Sequence, residues 1–178
     1  MIVQEKGKDL KEEELCYKKD LMYVYNESKK KFIKGEEMLP QMRFFAAPII
    51  EHRDALDHIM RYFRMTSNGE LTEEALSQLS SALNHEYRAF FDIADYIGIE
   101  VRDSISESLK RVSRKKRINK VWSDYPKIRK EIIQYSNEIA KIRQNRCGDK
   151  DCVEKYKKIL ENMFQTYEQY FTEIEPKL

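Results

Sequence analysis

"LTEEALSQLSSALNHEYRAFFDIADYIGIEV", residues 71–101, decides the fold. Leu76, Leu79, Leu83, Phe90, Ile93, Ile97 and Val101 recur at steps of three, four and seven. That is the period of a helix with one buried stripe. Thr72 stands before the pattern as an N-cap, and Glu73 and Glu74 follow in the first turn. Carboxylates there meet the positive end of the helix dipole. The stripe continues through Ile105 and Leu109 toward a basic run.

The segments on either side read the same way. A first helix is expected over about 8–33, carried by Leu10, Leu21, Val24 and Phe32 and stopped at Gly35. A second is expected over about 40–65. Phe45, Ile49, His52, Leu56, Ile59 and Phe63 give it one buried stripe. Pro48 inside that pattern marks a kink or the true start. "TSNGE", 66–70, ends it.

Beyond "SDYP", 123–126, Ile128, Ile132, Tyr135, Ile139 and Ile142 form the seam of a fourth helix. Val153, Tyr156, Leu160, Met163, Tyr167, Tyr170 and Ile174 form the seam of a fifth. A short glycine-containing loop joins the two seams, which predicts an antiparallel hairpin. The fold class is therefore all-α: an up-and-down bundle of about five helices with a long C-terminal antiparallel hairpin. The expected division is a bundle over 1–121 and a hairpin over 122–178, packed on the same domain. Long, well-patterned seams point to a homo-oligomer.

Composition agrees: 36% of residues are charged and only five are glycine. No apolar run approaches the roughly 20 residues that span a bilayer. With no basic-then-apolar leader in the opening residues, a cytoplasmic location without membrane contact is expected. Three cysteines, Cys16, Cys147 and Cys152, do not make a disulfide framework. Net charge is only +2, yet "KRVSRKKRINK", 110–120, holds seven basic residues and no acid. Arg111, Arg114, Lys115, Lys116 and Arg117 are its candidate phosphate contacts, with RNA the candidate ligand. A solvated helix end is the plainer reading of the same run.

Chemistry concentrates in "EHRDALDH", 51–58. Glu51, Asp54, His58 and Arg61 share one helix face at steps of three and four, and His85, Arg88, Asp92 and Asp95 share another. Antiparallel packing of the two helices makes these faces a polar seam of ion pairs and hydrogen bonds. A metal held by Asp54, His58, His85 and Asp92 is not expected, because no Glu-x-x-His pair occurs in the chain. No cofactor is expected either.

Arg53, four residues, then His58, with the polar Asp54 directly after the arginine, resembles the motif of the HEPN family. These are helical domains, many of which cleave RNA. The resemblance implies metal-independent cleavage, with Arg53, Asp54 and His58 as catalytic residues. His58 would shuttle a proton at a ribose hydroxyl, Arg53 would offset charge on the phosphate, and Asp54 would orient His58. Family members usually dimerise so that two histidines meet in one cleft. Residues five apart on a straight helix point about 140° apart. Arg53 and His58 therefore converge only through the long arginine arm, a helix irregularity or a second subunit. Two functional readings result: a self-associating helical interaction module whose polar seam is structural, and a HEPN-like ribonuclease or its inactive RNA-binding relative.

Overall fold

The computed structural model describes residues 2–39, 45–111, 118, 120–144 and 150–178. Five helices of twenty residues or more, and no strand, occur among them: α1 (Ile2–Met38), α2 (Ala46–Met65), α3 (Glu73–Arg111), α4 (Tyr125–Gln144) and α5 (Lys150–Gln169). A π-helical turn, Tyr170–Ile174, and a 3-10 turn, Glu175–Lys177, follow α5. No helix is long and apolar enough to cross a membrane among the described residues. The chain forms two compact units, Met1–Ile93 and Ala94–Leu178, so the division lies within α3, upstream of residues 121 and 122.

The capping chemistry of α3 is as expected. Thr72 Oγ1 accepts from the Ala75 N–H at 3.1 Å, and the Thr72 carbonyl accepts from the Leu76 N–H at 3.1 Å. All seven stripe residues from Leu76 to Val101 are buried. Pro48 sits in the first turn of α2, where its missing N–H costs nothing. At the other end Thr66 closes the helix, its N–H and Oγ1 both donating to the Tyr62 carbonyl at 3.0 Å. Gly69, at φ 84°, then takes the left-handed turn that a side chain would strain.

Two expectations need correction. α1 runs through Gly35 to Met38, because the Leu39 N–H donates to the Gly35 carbonyl at 2.9 Å and closes one more turn. The buried face of α2 is Pro48, Ala55 and Tyr62, not the row of large apolar residues. Ile49, Leu56 and Phe63 are 58%, 56% and 56% exposed. Consecutive residues of a helix point about 100° apart, so a core centred on Ala55 turns Leu56 outward. The apolar sector of α2 is wider than its neighbours cover.

In the N-terminal unit the helices alternate in direction. Tyr62 donates to Glu14, and Ser28 lies 3.5 Å from His52, so rising numbers on α1 meet falling numbers on α2. The pairs Glu51 with His85 and His58 with Gln78 show the same for α2 and α3. Tyr62, Ala75, Leu76 and Leu79 close one end of this core, with Leu10, Tyr17 and Leu71 packed against them.

In the C-terminal unit α4 and α5 form the antiparallel hairpin. The Tyr156 hydroxyl donates to the Ile139 carbonyl at 3.3 Å, Tyr135 bonds Asn162, and Lys127 and Gln169 border one shallow groove. Val153, Tyr156, Leu160, Met163, Tyr170 and Ile174 are buried on α5 and the turn after it. The α4 seam is covered less completely: Ile139 is buried, whereas Ile128, Ile132, Tyr135 and Ile142 are half-buried.

Leu160→Ala leaves a hole in a filled seam and should lower the unfolding free energy by about 2–5 kcal/mol in urea titrations. Ile139→Ala should fall at the lower end of that range. Losses below about half a kcal/mol at both positions would show that the two seams do not support each other.

Candidate functional site: the polar seam of the N-terminal unit

α2 and α3 pack antiparallel, so residues whose numbers sum to a nearly constant value face each other. All three histidines of the chain fall on this seam. His85 Nδ1 donates to Glu51 Oε2 at 2.7 Å, and the Arg88 guanidinium lies 3.8 Å from the same oxygen. Two turns along, His58 Nδ1 donates to Gln78 Oε1 at 2.9 Å. The His58 and His85 rings stack at 5.3 Å between centroids, 26° from parallel. Each ring thus has Nδ1 committed to an acceptor, which leaves Nε2 with the lone pair in the neutral form.

The third histidine does different work. His52 Nδ1 donates into the fork of the Glu86 carboxylate, 3.0 Å from Oε1 and 2.9 Å from Oε2. Its Nε2 lies 3.5 Å from Ser28 Oγ on α1, and its ring meets Tyr25 edge-on at 5.7 Å. The Glu86 side chain is only 5% exposed. A carboxylate that deep needs a hydrogen-bond donor, and His52 is that donor.

The expected seam residues do not all meet. Glu51, His58, His85 and Arg88 come together as read. Arg61 turns outward, pairing with Asp57 at 2.5 Å, and both are exposed. Asp95 belongs to the C-terminal unit, where it accepts from the Tyr156 hydroxyl at 3.4 Å. Asp92 is half-buried on α3.

Of the three expected catalytic residues, Arg53 is 71% exposed and donates through Nε and Nη2 to its neighbour Asp54 at 3.0 and 2.7 Å. That hydrogen bond is the main cause holding the Asp54 carboxyl below the usual range, with smaller contributions from Arg53, His85 and His58 charge. Gln78, not Asp54, holds Nδ1 of His58. Arg53 thus lies on the solvent side of α2 while His58 faces α3. No group of three or more His, Cys, Asp or Glu side chains is placed to hold a metal ion among the described residues.

Ser28, Gln78 and Glu86 are the partners that reading the chain alone missed. Gln78 had a signal, standing two turns before His85 on the same face; Glu86 had none, since it falls between Leu83 and Phe90 on the apolar stripe. Ser28 had none. In the basic run, Arg111 is exposed at the end of α3, and Arg114, Lys115, Lys116 and Arg117 lie outside the described residues. Cys147 also lies outside them, and Cys152 is buried.

Comparison with protein-family models, with characterised proteins and with solved structures finds no match.

His52→Ala strands a buried carboxylate. It should cost about 1–3 kcal/mol in chemical unfolding, and His52→Ala with Glu86→Leu should recover part of that loss. A single variant as stable as the parent would mean that Glu86 does not depend on His52.

Proposed function

We propose that the chain is a helical interaction module that pairs with a second copy of itself through the exposed face of α2. The observation that carries this reading is the row Ile49, Leu56, Met60 and Phe63, between 56% and 58% exposed. Isolated apolar residues on a surface need no explanation, but a contiguous row on one helix marks an interaction face. Ile49 and Phe63 each stand seven residues from Leu56, the heptad spacing of a helical seam.

The row is also self-complementary. A two-fold axis at Leu56 sets Leu56 on its copy and Ile49 against Phe63 on both sides. Arg53 and Asp57 flank the row on one edge, both exposed. The same axis brings Arg53 of one copy toward Asp57 of the other. In this reading the histidine seam is structural: it holds α2 in the rotation that turns the row outward.

A second reading, RNA cleavage, is favoured by one observation, the stacked pair His58 and His85. The HEPN-like motif would bring two histidines together across a dimer; here two rings lie 5.3 Å apart within one chain. With both Nδ1 atoms engaged, their Nε2 atoms suit a base and an acid on one phosphodiester.

Leu56→Glu should convert a dimer to a monomer in sedimentation equilibrium while leaving the melting temperature of the monomer unchanged. Wild-type protein that stays monomeric at millimolar concentration sinks the first reading. His58→Ala separates the readings. Loss of RNA cleavage with an unchanged melt, insensitive to chelator, supports catalysis. A loss of about 1–3 kcal/mol, from the stranded Gln78, with no cleavage by the wild type, supports the structural seam.

A further inference from the structure

A large open cavity lies wholly within the C-terminal unit, between the last turns of α3, Ile118, Trp122 and the first half of α4. Its volume is about 1120 Å³. Ile105, Leu109, Ile128 and Ile132 supply an apolar floor. Four cations, Arg102, Lys110, Arg129 and Lys130, stand exposed around it, and no acid lines it among the described residues. Arg102 is held by Asp103 at 2.9 Å. Lys110, Arg129 and Lys130 make no ion pair among the described residues.

Trp122, in the cavity wall, is only 4% exposed, and its Nε1–H is buried without an acceptor. Buried indole N–H groups are normally paired. The polar groups beside it are satisfied. Tyr170, whose ring lies 5.4 Å from that of Trp122, donates to Ser108 Oγ at 2.8 Å, and Ser108 donates to Glu175.

We infer that this cavity binds a small anionic amphiphile, with an acyl chain on the isoleucine and leucine floor and an acidic head among Lys110, Arg129 and Lys130. The volume is of the order of small-ligand pockets. Single-sign charge at the mouth selects an anion and raises its local concentration. The apolar floor requires a hydrocarbon part, which inorganic anions lack. An acidic helix laid across the mouth would cover the cations but would leave the apolar floor unfilled. The site is independent of α2 and of pairing between copies.

Trp122 is the single tryptophan of the chain, so its emission reports on the cavity directly. The full-length protein is titrated with decanoate below its micelle concentration, and in parallel with decanol, inorganic phosphate and anionic phosphatidylglycerol vesicles. Decanoate should shift Trp122 emission saturably, at one per chain, and more tightly than decanol or phosphate. Arg129→Gln with Lys130→Gln, both exposed, should keep the melting temperature and weaken decanoate binding at least about tenfold. An absent or non-saturable decanoate signal overturns the proposal. So does equal affinity for decanol with no effect of the double variant, because the cations then read nothing. Phosphate binding as tight as decanoate removes the role of the floor. Response to vesicles alone makes the feature a membrane-surface patch rather than a ligand cavity.

Discussion

A carboxylate buried on α3 sets the terms for the N-terminal unit. Glu86, at 5% exposure, needs a hydrogen-bond donor, and only one rotation of α2 delivers His52 to it. That rotation fixes the rest. It buries Ala55, brings Glu51 to His85 and His58 to Gln78, and leaves the other nitrogen of His52 within 3.5 Å of Ser28 on α1. Sliding α2 by one turn, about 5.4 Å, would part all of these pairs at once. Apolar packing alone is less demanding, because leucines and isoleucines tolerate small shifts of register. The cost of that specificity appears on the far side of α2, where Ile49, Leu56 and Phe63 lose their place in the core.

This explains which parts of the fold were legible in the chain and which were not. α3 was legible because its stripe is continuous and Thr72 supplies a side-chain cap, so period and boundary agree. The hairpin was legible for the same reason: Leu160 and Tyr156 repeat on one face with no competing face on α5. The apolar pattern of α2 was visible, but its direction was not. A stripe of large residues indicates the core only when no buried polar group overrides it, and Glu86 does so from a different helix. Glu51 and His85 were legible as a facing pair because antiparallel neighbours follow from a short loop. The role of His52 was not, since its two partners come from α1 and α3 at sequence separations of 24 and 34. The cavity was invisible for a stronger reason. The α4 seam looks as complete as that of α5, and only the arrangement in space leaves Ile128 and Ile132 half-covered.

Each unit leaves one buried polar atom without a hydrogen bond among the described residues, Glu86 Oε2 in the N-terminal unit and Trp122 Nε1 in the C-terminal unit. In the N-terminal unit each histidine has an acceptor for Nδ1, and Glu51 and Glu86 each accept from one. A seam of this kind specifies register. In the C-terminal unit Tyr170, Ser108 and Glu175 satisfy one another in sequence, which shows that the fold has acceptors to spare at that depth. Trp122 lies against Tyr170 yet shares none of them. Phenylalanine would fill much of the same wall without leaving a donor unpaired. The neighbouring cavity is a separate feature: it sets Lys110, Arg129 and Lys130, which make no ion pair among the described residues, beside an apolar floor, and the proposed ligand rests on that pairing of charge with apolar surface.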